Sequence, residues 1–359
     1  MFRLKEPYHL FSQPLQYYNQ MIEDIEKARE YVYLETFRVG KDEIGERFKN
    51  ALSKKAGEGV EIKVLIDYWG AGPVNHDFFH ELIENKGEVR FFEKIKLSTD
   101  IFTRGHKRNH RKLLLIDDEI SWIGSSNITG YNINWRESML RLRSYELTVD
   151  LARFFMKDFR IYNKYIFNKV RNIRTLKSAG FEIVRDAPSV AVKKINQRFI
   201  RLIKGADKTV HIETPYFLPG YLLRKALVDA ARRGVEVSVI IPKQSDVNLV
   251  DILRNKYLGP LCKSGVKFQF YKTNNLHAKL LLVDDLRFAI GSSNFDYRSF
   301  RYMYEIILVG EEPSIARQIK SHTRKTLSDS QPFDMERWRD RPMINKLFEW
   351  ILLPFRHLL

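Results

Sequence analysis

The sequence His110-Arg-Lys-Leu-Leu-Leu-Ile-Asp-Asp-Glu-Ile-Ser-Trp-Ile-Gly-Ser-Ser-Asn127 recurs, with the same spacing of its polar residues, as His277-Ala-Lys-Leu-Leu-Leu-Val-Asp-Asp-Leu-Arg-Phe-Ala-Ile-Gly-Ser-Ser-Asn294. In each copy a lysine stands two residues after the histidine, an aspartate follows after four further residues, and Gly-Ser-Ser-Asn follows after six more. The copies lie 167 residues apart. Matched residues at matched intervals indicate a duplication, which gives the chain two histidines and two lysines that can serve a single site.

The duplication extends beyond these two copies. Matching segments precede each of them at offsets of 175 to 178 residues, so the first half carries about eleven extra residues just before His110, within Ile95–Asn109. This period is much longer than the roughly 20–50 residues of solenoid repeats, and it therefore indicates a duplicated domain. The matching pairs are Val32–Phe37 with Val210–Tyr216, Gly59–Ile66 with Gly234–Ile241, and Gly87–Phe92 with Gly265–Phe270.

Strand and helix patterns alternate in both halves, which predicts an α/β fold in which each half is an α/β/α sandwich around a sheet buried on both faces. The halves are expected at 1–165 and 193–330, related by a pseudo-twofold axis and built on mixed sheets, with a linker at 166–192 and an amphipathic tail at 331–359. The predicted elements include helices Pro14–Glu30, Asp42–Lys54, Leu222–Arg233 and Val247–Leu258, strands Tyr31–Phe37, Val60–Ile66 and Val235–Ile241, and the apolar runs that follow Lys112 and Lys279.

The chain is strongly basic. Its 359 residues include 61 lysines and arginines against 44 acidic residues, for a net charge of +17. Such a surface attracts polyanions, either nucleic acid or the anionic face of a bilayer, but a solvated basic surface without a specific partner fits the charge equally well. The single cysteine, Cys262, excludes an internal disulfide and a cysteine-based metal cluster. No apolar run is long enough to span a bilayer and no signal-peptide core is found, so any membrane contact is expected to be peripheral.

The residue types in the repeated motif suit phosphate chemistry. On a strand, residues i and i+2 share a face, so each histidine is expected to present its imidazole beside the ammonium group of the following lysine. Glycine allows close approach of the backbone to a ligand, and serine hydroxyl and asparagine amide groups hydrogen-bond phosphate oxygens. The predicted site therefore contains Lys112, Lys279, Asn127, Asn294, phosphate-binding Ser125 and Ser292, and the structurally required Gly124 and Gly291.

Two histidines in one site predict covalent catalysis at phosphorus. One histidine attacks phosphorus and forms a phosphohistidine, while the other, in its protonated form, donates a proton to the departing alkoxide. The lysines and asparagines stabilise charge on the nonbridging oxygens, so no metal or other cofactor is expected. The attacking ring needs an acceptor at its other nitrogen, and the candidates are Glu137 and Glu305, each ten or eleven residues after its asparagine.

Other polar residues have structural interpretations. Asp117 and Asp284 end apolar runs before a turn, and both are interpreted as turn or ion-pair residues. Glu35 and Glu213 close apolar strands, where a hydrogen bond to a catalytic group and a plain ion pair fit equally well. A zinc site built on His106 and the histidine four residues on lacks an evident third ligand.

The chain resembles the phospholipase D superfamily, whose signature is His-x-Lys-x4-Asp-x6-Gly-Ser-x-Asn, and within it is similar to bacterial cardiolipin synthases. The resemblance covers roughly residues 5 to 359. It implies an active site at the interface of the two halves, with His110 as the nucleophile and His277 as the acid, an order that the residues alone do not decide. The supporting stretches are Arg108–Lys112, Asn134–Glu137, Glu213–Pro219, Ala230–Val235, Leu276–Lys279 and Asp296–Ser299.

The resemblance implies phosphatidyl transfer, in which phosphatidylglycerol donates a phosphatidyl group to the nucleophilic histidine and a second phosphatidylglycerol accepts it to give cardiolipin. Two features depart from the commonest pattern: two N-terminal membrane spans are not found, and the first copy has Gly-Ser-Ser-Asn where many synthases have Gly-Gly-x-Asn. Both leave the acceptor alcohol open. The alternative is a phospholipase D-type phosphodiesterase that hydrolyses phospholipid or nucleic acid. Against nucleic acid, small nucleases of the superfamily carry one motif per chain, and the apolar C-terminal segment favours lipid.

A lipid substrate requires contact with a membrane. The segment Met343–Leu359 is rich in leucine, phenylalanine and tryptophan with few charges, which predicts a segment lying in the membrane interface, and a terminal helix docked on the protein is the alternative. The basic segment Lys94–Arg111 is expected to contact anionic headgroups. The predicted location is the cytoplasmic face of the cell membrane, with phosphatidylglycerol as ligand, no obligatory protein partner and an undecided oligomeric state. The predicted membrane contacts are Phe348, Trp350, Leu352 and Phe355.

Overall fold

The computed structural model describes residues 6–92, 107–161, 175–189 and 191–356. Within these residues the strands are β1 Tyr8–Phe11, β2 Tyr31–Thr36, β3 Glu61–Asp67, β4 Glu88–Phe92, β5 Arg108–Asn109, β6 Leu113–Ile116, β7 Ile120–Gly124, β8 Met139–Arg143, β9 Leu176–Ser178, β10 Phe181–Asp186, β11 Thr209–Glu213, β12 Phe217–Leu218, β13 Glu236–Pro242, β14 Lys267–Tyr271, β15 Leu280–Val283, β16 Arg287–Gly291, β17 Phe295–Asp296, β18 Met303–Gly310 and β19 Ser330–Pro332. The α-helices are α1 Pro14–Glu26, α2 Glu43–Gly57, α3 Tyr68–Ala71, α4 His80–Glu84, α5 Tyr145–Ile161, α6 Lys194–Lys204, α7 Tyr221–Arg232, α8 Asn248–Lys263, α9 Tyr297–Tyr302, α10 Pro313–Ser328, α11 Met335–Arg339 and α12 Met343–Leu352.

Two large sheets repeat one strand order. The first sheet runs β1-β8-β7-β6-β2-β3-β4, and the second contains the same sequence of equivalents, β10-β18-β16-β15-β11-β13-β14, with β9 and β19 added at its two ends. In each sheet the last three strands of that order pair in parallel and the others pair antiparallel. The prediction of two α/β halves with mixed sheets is therefore confirmed.

The apolar run after each motif lysine supplies both faces of a buried strand. In β6, Leu114 and Ile116 pack into a core between the first sheet and its outer helices, whereas Leu113 and Leu115 face a central core. In β15, alternate residues divide in the same way between the second outer core and the central core. The central core contains side chains from both sheets and from α5 and α10. The two halves therefore share one apolar layer, which fixes the two motif strands relative to each other.

The boundaries of the second half differ from the prediction. Part of the expected linker at 166–192 forms the hairpin of β9 and β10, and β10 pairs with β18 of the second sheet. Ala179 and Gly180 turn this hairpin with positive φ angles of 48° and 81°, the conformation that tight hairpin turns require. The second sheet also continues past residue 330, because β19 pairs with β14. The sequence did not predict this hairpin because β9 has only three residues and the turn carries only one glycine.

The C-terminal segment forms helices on the second half. Helix α12 packs against α8, which extends to Lys263 and so contains Cys262, beyond the predicted end at Leu258. Leu352 packs against the second-half core, so this predicted membrane contact faces the protein instead. No helix in the described ranges is both long enough and apolar enough to cross a bilayer. Large apolar side chains of this segment remain exposed, namely Met343, Ile344, Leu347, Phe348, Trp350, Ile351 and Phe355.

Candidate active site

The first motif histidine lies beside a backbone bridge between the halves. His110 and Lys112 precede β6 rather than lying within it, which differs from the expected strand placement. The short strand β5 immediately before His110 pairs in parallel with the start of β18. The N–H of His110 donates to the carbonyl of Tyr304 over 3.0 Å. The second half therefore holds the backbone of the first-half histidine.

The second motif histidine is held in the same way by the first half. His277 and Lys279 precede β15, and Leu276 forms an isolated parallel bridge with Arg136. The carbonyl of Arg136 accepts hydrogen bonds from the N–H groups of His277 and Ala278, over 2.8 and 3.0 Å. These reciprocal bridges bring the two motif loops to one seam between the halves.

The histidine and glutamate side chains pair across this seam. The Nδ1 atom of His110 lies 3.0 Å from Oε1 of Glu305 in the second half, and the Nδ1 atom of His277 lies 2.8 Å from Oε1 of Glu137 in the first half. Both glutamates are fully buried. Each half therefore supplies one histidine and the carboxyl group that orients the other half's histidine, so neither half alone builds a complete site.

The two motif serines support these glutamates. Ser125 Oγ donates to Glu137 Oε2, and Ser292 Oγ donates to Glu305 Oε2. Each serine oxygen also accepts a backbone N–H, from Ser138 over 2.9 Å in the first half and from the equivalent strand in the second. Since each hydroxyl has only one proton, the expected direct binding of phosphate by these serines is corrected to a role in holding the glutamates.

The motif glycines are required by a neighbouring strand rather than by a ligand. A Cβ atom on Gly124 would lie 2.1 Å from the carbonyl oxygen of Ser138, and one on Gly291 would lie 2.2 Å from that of Ile306. Ser138 lies directly before β8 and directly after Glu137, and Ile306 follows Glu305 within β18. The close approach therefore sets the distance at which each serine meets its glutamate.

The motif aspartates bind backbone at the far end of the motif strands. Asp117 accepts hydrogen bonds from the N–H groups of three consecutive residues that lead into β2, and Asp284 does the same before β11. Both aspartates have positive φ angles, 52° and 53°. A four-residue strand separates each from its lysine, so the geometry agrees with a structural role.

The electrostatics of the His110–Glu305 pair favour neutral groups. Burial, together with the charges of Lys112 and Lys279, holds the pKa of His110 well below its ordinary value. Burial also raises the pKa of the Glu305 carboxyl well above its ordinary value. The Nδ1 atom of His110 additionally lies 3.1 Å from the carbonyl oxygen of Ser292, which can only accept. The proton of the neutral ring therefore resides on Nδ1, and Nε2 carries a free lone pair.

The His277–Glu137 pair is polarised differently. Burial opposes ionisation of Glu137, but the charge of His277 and their hydrogen bond outweigh burial, so the pKa of Glu137 lies below its ordinary value. Burial lowers the pKa of His277, and the Glu137 carboxylate opposes that effect. The Nε2 atom of His277 lies 3.1 Å from Nζ of Lys279. The pKa of His277 therefore lies below its ordinary value, but the ionised Glu137 stabilises the imidazolium that a general acid requires, compared with the same ring without this carboxylate.

The two lysines and two asparagines lie in the same seam. Burial lowers the pKa of Lys112 to about 7 and that of Lys279 to about 8. Each ammonium donates to the carbonyl of the histidine two residues before it, over 2.7 and 2.8 Å. The side-chain oxygens of Asn127 and Asn294 are buried and accept no hydrogen bond from the described residues. An anionic ligand would favour the charged form of both lysines, and its oxygens would accept hydrogen bonds from the Nδ2 groups of the asparagines rather than from these side-chain oxygens.

Aromatic side chains that sequence reasoning did not assign flank the histidines. The ring of Phe37 lies 5.3 Å from that of His110, and the ring of Trp135 lies 5.2 Å from that of His277. Tyr131, which is 68% exposed, contacts Trp135 in turn. The position of Trp135 two residues before a candidate glutamate is a signal that could have identified it.

Further polar groups hold the His110 loop. Asp67 accepts the N–H of Asn109 over 2.7 Å, and Glu35 accepts its side-chain amide over 2.8 Å. Glu213, the equivalent of Glu35, instead lies 3.2 Å from Nε2 of His322. Glu35 and Glu213, whose roles the sequence left open, therefore each accept a hydrogen bond from, or pair with, a polar side chain on a neighbouring segment. The predicted basic contact segment and His106 lie mostly or wholly outside the described residues.

Comparison with known proteins agrees with this architecture. The family model described as "Cardiolipin synthase, PLD-like domain" matches residues 21–159 and 199–327. The chain is 31% identical over 337 residues to the major cardiolipin synthase ClsA of Bacillus subtilis, covering 91% of this chain and 70% of that protein. It is 34% identical over 301 residues to a cardiolipin synthase of Listeria welshimeri, covering 80% and 62%. The chain belongs to this family of phospholipase D-like proteins.

A solved structure shares the fold over nearly the whole chain. The phosphatidylserine synthase of Haemophilus influenzae superposes with a TM-score of 0.80 at 15% sequence identity, covering 99% of this chain and 96% of that one. At this identity the likeness establishes the architecture of two phospholipase D-like halves.

Proposed function

We propose that the protein is a phosphatidyltransferase that makes cardiolipin from two molecules of phosphatidylglycerol through a phosphohistidine at His110. The observation that carries this proposal is the crossed pairing of His110 with Glu305 and of His277 with Glu137. This pairing places two different imidazoles at one seam between the halves. His110 is neutral with a free Nε2 atom, and His277 lies beside an ionised carboxylate. The relatives named cardiolipin synthase support the choice of substrate.

In the first step, Nε2 of His110 attacks the phosphorus of phosphatidylglycerol. The P–O bond to the glycerol headgroup breaks, and His277 donates a proton to the departing oxygen, so that free glycerol leaves. The positive charge that develops on His110 is shared through its Nδ1–H with Glu305 and with the carbonyl of Ser292. The phosphatidyl group is then covalently bound to His110.

In the second step, the now neutral His277 removes a proton from a hydroxyl of a second phosphatidylglycerol. The resulting alkoxide attacks phosphorus, the bond to His110 breaks, and cardiolipin is released with both histidines restored to their starting protonation states. Lys112, Lys279 and the amides of Asn127 and Asn294 stabilise the nonbridging oxygens in both steps. Two buried ammonium groups supply the charge that a metal ion would otherwise provide.

The substrate requires contact with a bilayer, and we propose a peripheral position on the cytoplasmic face of the membrane. The exposed side chains of the C-terminal segment support the peripheral contact. Phe348, Trp350 and Phe355 are 47%, 68% and 54% exposed, although burial is the usual outcome for such side chains. Insertion of these rings into the interface would add to the attraction of anionic lipids for a chain of net charge +17.

The test is incubation with phosphatidylglycerol followed by mass spectrometry of the lipids. Cardiolipin and free glycerol are expected, and either His110→Ala or His277→Ala should remove both products. The matched control is His80→Ala, which replaces a histidine with a 71% exposed side chain in α4 and should leave turnover unchanged. Phosphatidic acid as the sole lipid product would show that the enzyme hydrolyses phosphatidylglycerol instead of transferring its phosphatidyl group. Cleavage of DNA in place of lipid would contradict the proposal.

A further inference from the structure

A second cleft lies on the outer side of the second half. It has a volume of about 800 Å³ and lies between α8, β14, β19 and the C-terminal helices α11 and α12. This volume is within the usual range of small-molecule sites. The catalytic histidines, lysines, asparagines and glutamates are not among its lining residues, so the cleft is separate from the active site.

The most unusual lining residue is Arg254. Its side chain is 3% exposed, and Nη2 donates to the carbonyl of Lys243 over 2.8 Å. Nη1 lies 2.8 Å from Oδ1 of Asp251, but neither Nη1 nor Nε makes a hydrogen bond with the described residues. Buried guanidinium donors without hydrogen bonds are costly, so this geometry points to an acceptor that enters the cleft.

The cleft carries an excess of positive charge. Lys243, Arg254, Arg337 and Arg341 line it together with two acidic residues. Of these basic residues, Arg341 is paired with Glu349 over 2.7 and 2.8 Å and Arg254 with Asp251. Both acidic side chains bind backbone N–H groups, Asp251 that of Ser245 and Asp334 that of Arg337. Lys243 and Arg337 have no ion-pair partner in the described part of the chain. Arginine and lysine donors that line an open cleft are suited to a phosphate group.

Part of the remaining wall is apolar, and the cleft continues to the exposed helix α12. Phe270, Phe333 and Trp338 line the cleft, as does Asn345 of α12. On the same helix, Ile344 and Phe348 are 53% and 47% exposed. A ligand with a phosphate group and an apolar part would match both surfaces.

We propose that this cleft binds the phosphate headgroup of an anionic phospholipid at a site distinct from the catalytic seam. The phosphate oxygens accept hydrogen bonds from Arg254, Lys243 and Arg337, and the glycerol and acyl portions lie against the aromatic wall toward α12. This site does not depend on the reaction proposed above. Its occupation would hold α12 and the active site at the membrane while substrate and product exchange.

The first experiment measures binding of the whole chain to phosphatidylcholine vesicles with and without phosphatidylglycerol. Arg337→Gln should weaken binding to the vesicles with phosphatidylglycerol about fivefold. The matched control is Arg339→Gln, which removes the same charge from an exposed position of the same helix outside the cleft and should change binding less than about twofold. Equal effects of the two variants would overturn the proposal in favour of nonspecific attraction.

The second experiment uses ¹⁵N-tryptophan-labelled protein, which has five indole N–H signals. Soluble dihexanoyl phosphatidylglycerol should shift the Trp338 signal, identified with Trp338→Phe, in a saturable way. Arg254→Gln and Arg337→Gln should each weaken this binding. Inorganic phosphate that binds as tightly as the short-chain lipid would overturn the assignment to lipid. If Arg254→Gln fails to fold, Arg337→Gln on the exposed helix still decides the outcome.

Activity separates this inference from the proposed function. Arg337→Gln should keep its turnover of dihexanoyl phosphatidylglycerol, because the cleft does not contact the catalytic residues. Lipid binding that depends on Arg337 in a protein that makes no cardiolipin would leave this site standing and reject only the catalytic proposal.

Discussion

The two glutamates should respond unequally to substitution by glutamine. Glu137 is ionised beside His277, whereas burial favours the neutral form of Glu305 beside His110. Glu137→Gln therefore removes a negative charge from the general acid, while Glu305→Gln replaces one neutral group with another of the same shape. In Glu305→Gln the amide oxygen of the new side chain would still accept the Nδ1–H of His110, and the carbonyl of Ser292 offers a second acceptor at 3.1 Å.

The magnitude follows from the geometry of the pair. With the Nδ1 atom of His277 2.8 Å from the carboxylate oxygen and charge centres about 4 Å apart, an effective dielectric constant of about 20 gives an attraction of about 4 kcal/mol. Part of it is retained because glutamine still accepts a hydrogen bond. Since each 1.36 kcal/mol is about tenfold in rate, Glu137→Gln should lower kcat/KM about 100- to 1000-fold at neutral pH and Glu305→Gln less than about tenfold.

The assay is release of labelled glycerol from phosphatidylglycerol as a function of pH, with thermal unfolding to confirm that both variants are folded. Loss of the carboxylate lowers the pKa of His277, so the descending limb of the pH profile should move to lower pH in Glu137→Gln and stay in place in Glu305→Gln. An equal or larger loss in Glu305→Gln, or an unmoved limb in Glu137→Gln, would refute the assignment of acid and nucleophile.

Three further substitutions test other parts of the account. Gly124→Ala should lower the free energy of unfolding by about 1–3 kcal/mol in denaturant titration, because its Cβ would meet the Ser138 carbonyl, whereas Gly57→Ala in α2 has its nearest contact at 3.7 Å and should not destabilise. Lys112→Met should reduce kcat/KM about 100-fold. Because burial lowers the pKa of Lys112 to about 7, the same substitution should raise the free energy of unfolding by about 2–4 kcal/mol below pH 7. This gain should fade as the pH rises from 7 toward the pKa of lysine in the unfolded chain. Trp350→Ser should weaken vesicle binding about tenfold in flotation assays, and unchanged binding would remove the tail from the membrane contact.

The sequence predicts the architecture well because its apolar runs indicate buried strands and its amphipathic segments indicate the helices between them. The apolar runs after Lys112 and Lys279 are long enough to fill both faces of a strand, and the alternating helices leave a mixed α/β sandwich as the solution. The β9–β10 hairpin was not predicted because β9 has only three residues and β10 lacks a regular alternation of apolar and polar side chains. Its place in the second sheet depends on pairing with β18, a contact more than a hundred residues away in the chain.

The candidate residues are identifiable from the sequence, but their partners are not. Glu137 follows His110 in the first half as Glu305 follows His277 in the second, so pairing within each half fits the spacing as well as the crossed pairing that is observed. Only the packing of the two sheets through the central core decides between them. For the same reason, the sequence identifies Ser125 and Ser292 as polar site residues but does not predict their hydrogen bonds to the glutamates. Those hydrogen bonds depend on how the neighbouring strands are placed.

The most direct test of the two-histidine account uses phosphatidyl-p-nitrophenol, whose leaving group needs no general acid. His277→Ala should release about one p-nitrophenolate per chain and then stop, and mass spectrometry under alkaline conditions should locate the phosphatidyl group on His110. His110→Ala should release none. A covalent adduct on His277, or sustained turnover without any adduct, would contradict the account.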